Sequence, residues 1–187
     1  MRLPLFRSAL FLGAFALAGG AFADTPKLVL GKYESALKLM DQGQCDKAKE
    51  MLAPGGKLSA GEEVAIADIG DCYLTAAGKQ HDPAEAQRMR ETGAGWILRA
   101  ANLGMREAQA TAVKLYLNGQ VFFPDPYEAG KWYLLWQNNR ANLQLGQVEF
   151  DPNWTKVLNG YGPAVWTEAK ARAATWKPPA ISQADAP

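Results

Sequence analysis

The fold is decided by two stretches, Tyr73–Ala86, which reads YLTAAGKQHDPAEA, and Tyr116–Ala129, which reads YLNGQVFFPDPYEA. Both follow the pattern Y-L-x7-D-P-x-E-A at an offset of 43 residues, and the same offset pairs Ala65 with Ala108. Self-similarity at a period of about 20–50 residues is typical of chains built from stacked supersecondary units. We therefore expect the chain to contain two copies of one unit.

Each copy is predicted to begin with an amphipathic helix. Its apolar positions recur at i, i+4, i+5 and i+8, a spacing that places side chains on one helix face. The positions are Ala65, Ile69, Gly70 and Tyr73 in the first copy, and Ala108, Ala112, Val113 and Tyr116 in the second. Because the copies are equivalent, Tyr73 and Tyr116 are expected to occupy matching positions in the core.

The second helix of each copy is predicted to begin at the D-P-x-E sequence. The Asp carboxylate can accept hydrogen bonds from backbone N–H groups that lack a helical partner, and Pro suits the first helical position. The Glu is expected to complete a capping box. These residues are Asp82, Pro83 and Glu85, and Asp125, Pro126 and Glu128. We interpret them as helix starts and not as catalytic carboxylates.

Three segments resemble the Sel1-like repeat family, which is tetratricopeptide-like. Ala65–Tyr73 reads A-x3-I-G-x2-Y, Trp96–Ala108 reads W-I-x-R-A-A-x2-G-x3-A, and Asp125–Tyr133 reads D-x3-A-x2-W-Y. The resemblance covers about residues 61–142. It implies stacked antiparallel helix pairs that act as adaptor, regulatory or assembly modules by binding proteins.

The sequence departs from that family in two places. Seven more residues separate Ala86 from Trp96 than separate Ala129 from Trp132. Seven residues are about two helical turns, so the insertion would keep the apolar face of a continuous helix in phase. The alternative is that Gly93 and Gly95 inside the insertion bend or break the helix. After Trp132-Tyr133 the family's A-A-x2-G is replaced by LLWQ, so the last repeat helix is expected to run to about Leu145.

The predicted fold class is all-α, a short α-solenoid of antiparallel helix pairs with capping helices at both ends. Residues 24–58 are expected to form a capping hairpin that turns at Gly43, with a stripe of Tyr33, Ala36, Leu37 and Met40. Residues 59–146 would hold the two repeats, opened by a capping box at Ser59–Glu62. Residues 147–176 would form C-terminal capping helices, and residues 177–187 a disordered tail, since repeat stacks need atypical ends.

Residues 1–23 are predicted to be a cleaved signal peptide. Arg2 and Arg7 precede an uncharged run rich in Leu, Phe and Ala, and Ala21-Phe22-Ala23 supplies a small-x-small cleavage pattern. The run is shorter than the roughly 20 residues that span a bilayer, and no later stretch is apolar enough to do so. The protein is therefore expected in the periplasm or outside the cell.

Cys45 and Cys72 are the two cysteines of the chain. In an oxidising compartment they are expected to form one disulfide, which would join the N-terminal cap to the stack; two buried free thiols are the alternative. One His and two separated cysteines do not supply the three or four ligands of a metal site. No metal and no cofactor are predicted.

Composition and motifs argue against several classes of function. The chain has 187 residues, 20 Lys and Arg against 19 Asp and Glu, and a net charge of +1, so no nucleic-acid partner is expected. There is no nucleophile elbow or phosphate-binding glycine loop, and His81 stands alone before a helix cap. A weak alternative is a small envelope hydrolase of the carboxylate-pair type. Its candidate acids would be Glu62, Glu63, Asp68 and Asp71, although a solvated helix face is the preferred interpretation.

We therefore predict a non-catalytic module that binds a protein or peptide. Phe122 and Phe123 either pack on the C-terminal cap or form an exposed binding edge, and Tyr and Trp are favoured interface residues. The candidate binding residues are Lys114, Leu115, Asn118, Phe122, Phe123, Tyr127 and Trp136. The alternative function is a periplasmic immunity protein that neutralises a toxin directed at the envelope.

Overall fold

The computed structural model describes residues 26–57, 65–141 and 151–178, with side chains from residue 31 onward. These residues form helices and connecting turns, and no strand occurs among them, which confirms the all-α class. The helices are α1 (Pro26–Asp41), α2 (Cys45–Leu52), α3 (Ala65–Lys79), α4 (Pro83–Asn102), α5 (Arg106–Asn118), α6 (Pro126–Gln137), α7 (Pro152–Gly160) and α8 (Pro163–Thr175), with a single 3-10 turn at Pro54–Gly56.

Helices that are adjacent in the sequence are also neighbours in space. From α1 to α6 each helix packs against the next, and the contact between α3 and α4 is the most extensive. Helix α8 returns to pack against α6, while α7 contacts the same helix only at its edge. Since short helices are stabilised mainly by packing an apolar face, each of these elements depends on its neighbours.

The predicted faces of α3 and α5 are buried, with one difference between the copies. The first three residues of each set are in the core. Tyr73 is also buried, and its hydroxyl donates to Asp46 on α2. Tyr116 is only partly buried and stacks on Phe122, with ring centroids 5.2 Å apart. The expectation of matching positions is wrong, because the loop of the second copy carries Phe122 where the first copy has the exposed Lys79.

Helix α4 continues through Gly93 and Gly95 without a break, so the continuous helix is found and the alternative of a break is wrong. Gly93 lies where α4 crosses α3: a Cβ atom there would be 2.8 Å from the carbonyl oxygen of Gly70 and 2.9 Å from Cγ of Leu74. A Cβ atom on Gly70 would be 2.8 Å from Cγ1 of Ile97. The pair of glycines therefore allows the two helices to approach closely.

The Asp caps are confirmed, but the capping boxes are not. The Asp82 carboxylate accepts from the N–H groups of Ala84 (2.9 Å) and Glu85 (3.5 Å). Asp125 accepts in the same way from residues 127 and 128, at 2.9 and 3.0 Å. The Asp82 N–H donates to Gln80, and Glu85 pairs with Arg88 instead of reaching back. Glutamates at this position therefore serve as ion-pair partners.

The last repeat helix ends at Gln137 and does not run on to Leu145 as predicted. The Asn138 N–H closes the final turn on the Leu134 carbonyl at 3.1 Å. The side-chain amide of Asn139 then donates to the Gly104 carbonyl (2.8 Å) and to Gln109 (2.9 Å). These bonds tie the end of α6 to the turn between α4 and α5.

Helices stand at both ends of the described chain, α1 and α2 before α3, and α7 and α8 after α6. Helices α1 and α2 form a hairpin whose turn holds Gly43 at a φ of 72°. Helix α8 packs against α6 at Gly130, where a Cβ atom would be 2.8 Å from Cβ of Ala169. The predicted signal peptide, the Ser59–Glu62 capping box and the tail from residue 179 lie outside the described residues. None of the described helices is both long and apolar enough to cross a membrane.

Candidate functional site

A groove of about 640 Å³, open to solvent, lies between α1 and α3. Leu37 and Met40 of α1 form one wall, and Thr75 and Ala76 of α3 form the other. Met89 of α4 also lines the groove. Leu37 is 36% exposed, although it carries a large aliphatic side chain. The groove therefore presents apolar surface to solvent on the described part of the chain.

A covalent bond and two hydrogen bonds attach the α1–α2 hairpin to α3. Cys45 of α2 and Cys72 of α3 form the predicted disulfide, and Cys72 itself lines the groove. The Tyr33 hydroxyl on α1 donates to Asp68 on α3. In the opposite sense, the Tyr73 hydroxyl on α3 donates to Asp46 on α2. The N-terminal hairpin is thus attached to α3 at both of its helices.

Carboxylates dominate the charge around the groove. In the part of the chain that the structure describes, Asp41, Asp68 and Asp71 line it together with one ammonium group, that of Lys79. Asp68 and Asp71 lie three positions apart on α3, which places them on one helix face. No group of three or more His, Cys, Asp or Glu side chains suited to a metal ion occurs among the described residues.

The surroundings shift the pKa values of two groups at the groove. Desolvation raises the pKa of Asp71, and the neighbouring charge of Asp68 raises it further, while Lys114 on α5 acts in the opposite direction. Burial raises the pKa of Tyr33 to about 12, and both the hydrogen bond to Asp68 and the charge of Asp68 add to that effect. The phenol of Tyr33 therefore stays neutral at physiological pH.

The seven binding residues expected from the sequence are not brought together as one exposed surface. Leu115 is 3% exposed and Trp136 is 9% exposed, so both belong to the core and neither can contact a partner. Leu115 is three positions after Ala112 and widens the apolar face of α5. Trp136 instead packs against Tyr133, with ring centroids 5.9 Å apart.

The two Phe residues differ in their surroundings, and the contact that Phe122 makes is with α5 and was not among the two alternatives. Phe122 packs inward on Tyr116, whereas Phe123 is 97% exposed. Tyr127 is 38% exposed, with the Arg172 guanidinium 5.6 Å from the centre of its ring. Lys114 and Asn118 are exposed on α5, as expected. The exposed members of the predicted surface are therefore Lys114 and Asn118 on α5, and Phe123 and Tyr127 near the start of α6.

Sequence reasoning did not find the α1–α3 groove. Leu37 and Met40 were assigned with Ala36 to a packing stripe, but only Ala36 is fully buried. One signal was the width of the apolar stripe on α1, because four positions are more than α2 and α3 bury between them. The acidic residues of α3 that line the groove were a second signal. Comparison with known proteins adds no assignment, since no family model, no curated protein and no solved structure matches the chain.

Proposed function

We propose that this protein is an exported, non-catalytic module of the Sel1-like repeat type that binds a segment of another protein in the α1–α3 groove. The observation that carries the proposal is the groove itself, where Leu37, Met40 and Met89 offer aliphatic surface to solvent beside charged carboxylates. Its volume of about 640 Å³ lies within the 300–1,000 Å³ range of small-ligand pockets. Methionine side chains are flexible and polarisable, so they adapt to varied partners.

The stacking of helix pairs supports the repeat assignment. Tyr33 of α1 meets Asp68 of α3, and further along both helices the Met40 carbonyl lies 3.8 Å from the Cys72 sulfur. From the first contact to the second the residue numbers increase on both helices, so α1 and α3 lie side by side and run in the same direction. Helix α2, which connects them in the sequence, runs in the opposite direction. First helices of successive pairs side by side are what a solenoid requires.

Export is supported by two independent features. The Cys45–Cys72 disulfide suits an oxidising compartment, where such bonds form and persist. The first 23 residues carry the charge pattern, apolar run and small-residue site of a signal peptide.

The test is a selection of random peptides on the purified, oxidised protein. Thr75 is exposed and lines the groove, so Thr75→Trp should fill it and abolish recovery of the peptides that the unchanged protein retains. Lys156→Trp is the matched control, because it places the same ring on the exposed surface of α7. If Thr75→Trp lowers the melting temperature, Leu37→Gln provides the same test at the opposite wall.

Recovery of peptides that bind the unchanged protein and Lys156→Trp but not the groove variants is the expected result. Two results would refute the proposal: no peptide above background, or the same peptides retained by Thr75→Trp and Leu37→Gln.

A further inference from the structure

We propose that the α1–α3 groove selects a cationic, aliphatic segment of polypeptide, in which Lys or Arg stands beside Leu, Ile or Met. The inference rests on the proposed function, and it adds the chemistry of the partner. It follows from the placement of charged and apolar side chains along α3 and α1.

The charge of the groove differs from that of the chain. Among the described residues, Asp41, Asp68 and Asp71 against Lys79 make the lining net negative. Residues 24–187, without Arg2 and Arg7 of the predicted signal peptide, carry 18 basic against 19 acidic residues and are close to neutral. Lys114 acts on Asp71 from α5 but is not part of the lining. The negative character is therefore local, and a partner segment with positive charge is its electrostatic complement.

The groove has an acidic part and an apolar part at different positions along α3. Asp68 and Asp71 are separated by about 4.5 Å along the axis, since a helix rises 1.5 Å per residue. Lys79 follows Asp71 by eight positions, which is about 12 Å further along the axis and too far to neutralise both carboxylates. Thr75 and Ala76 lie between Asp71 and Lys79 along α3, and they line the groove together with Leu37 and Met40 of α1.

A partner segment must satisfy both parts. A Lys or Arg side chain at the acidic part would contact Asp68 and Asp71, and an adjacent aliphatic side chain would lie against Leu37, Met40 and Met89. Lys and Arg also bury their aliphatic stems on apolar surface while the charged end stays hydrated. An acidic segment would place like charges together in the same space.

The state of Asp71 agrees with this assignment. Its ionised form is disfavoured by desolvation and by Asp68, which is the cause of its raised pKa. A bound cation would relieve the repulsion between the two carboxylates. The Tyr33 hydroxyl already donates a hydrogen bond to the Asp68 carboxylate, so Asp71 is the group that gains most from a cationic partner.

The experiment uses the peptides recovered by the unchanged protein, made synthetically with a fluorescent label and measured by anisotropy. Each is compared with versions in which its Lys and Arg residues are replaced by Gln or by Glu. Asp71→Asn should weaken binding of the cationic version roughly two- to fivefold, the range expected of an exposed ion pair. Asp71→Lys should weaken it further and improve binding of the Glu version. Glu50→Gln, an exposed acid on α2 outside the lining, is the control and should change nothing.

The outcomes separate the inference from the proposed function. Cationic peptides that lose affinity on Gln or Glu replacement, with the reversed preference in Asp71→Lys, support the inference. Neutral or acidic peptides that still depend on Thr75 and Leu37 would overturn the cationic preference and leave the proposed function intact. Peptides that depend on neither Thr75 nor Leu37, or a selection that recovers none, would overturn both.

Discussion

Gly93→Ala and Gly95→Ala are two substitutions on one helix that should change stability in opposite directions. Both replace a helical glycine by alanine, which by itself stabilises a helix by about 0.5–1 kcal/mol. Gly95 is exposed, and a Cβ atom there meets nothing within 4 Å. Gly93 faces α3, where a Cβ atom would lie 2.8 Å from the Gly70 carbonyl oxygen and 3.1 Å from the Leu74 backbone nitrogen. We therefore expect only Gly95→Ala to be stabilising.

The magnitude follows from the nature of the neighbouring atoms. Two of the close atoms at Gly93 belong to the backbone of α3, so α4 must move away by roughly half an ångström to reach normal contact. Such overpacking costs about 1–3 kcal/mol. Since the propensity gain is common to both variants, their difference isolates the packing cost. Gly93→Ala is expected to unfold with a free energy about 1–3 kcal/mol below that of Gly95→Ala.

The assay is urea unfolding of the purified, oxidised protein, followed by helical circular dichroism. A parallel thermal scan should separate the melting temperatures by about 2–4 °C for each kcal/mol. Gly78→Ala on α3, where a Cβ atom is also free of contacts, is a second control and should behave like Gly95→Ala. Equal or greater stability of Gly93→Ala relative to Gly95→Ala would show that the close crossing of α3 and α4 is wrong.

Three further outcomes are expected. Replacing Cys45 and Cys72 by Ser removes a bridge between positions 27 apart, and the free energy of unfolding should fall by about 3–4 kcal/mol with helicity retained; an unchanged urea midpoint would contradict this. The pKa of Tyr33, raised to about 12, means that its contribution to stability is complete below about pH 10 and is lost as the pH rises through 12. Phenolate absorbance, compared with Tyr33→Phe, measures this, and ionisation near the ordinary value would argue against the bond to Asp68. Because the pKa of Asp71 is raised, its charge opposes folding above that pKa, so Asp71→Asn should raise the unfolding free energy at pH 7 and have little effect near pH 3; a loss of stability at pH 7 would contradict it.

Local features of the fold were predictable because their causes are local. Asp82 and Asp125 cap helices through bonds to N–H groups two and three residues away, so the D-P sequence is sufficient evidence. The period of apolar residues in α3 and α5 indicated their buried faces in the same way. Even the disulfide followed from the number of cysteines and the order of the helices.

Features that depend on the meeting of distant segments were not predictable. Glycine is a residue type that disfavours helices, and only the position of Gly93 opposite Gly70 shows that it permits the close crossing of α3 and α4. Trp136 was expected to contact a partner because its position departs from the repeat pattern, but it is buried and its ring packs against Tyr133. Helical periodicity cannot distinguish a residue covered by a later helix from one that stays exposed.

The candidate site illustrates the same limit. For Phe123 the sequence left exposure and packing on the C-terminal cap open, and the side chain is exposed. The groove required the relative positions of α1 and α3, which are set by the Cys45–Cys72 bridge and the bond from Tyr33 to Asp68. These contacts join residues 27 and 35 positions apart, beyond the reach of a periodic pattern.

The central claim, that α1 and α3 form the binding surface, is tested most directly by amide chemical shifts of the isotope-labelled protein during titration with a selected peptide. The account predicts changes confined to residues 37–43, 68–80 and Met89, and their loss in Thr75→Trp. Changes centred on Phe123 and Tyr127, with the α1–α3 residues unaffected, would contradict it and place the binding surface on the loop before α6.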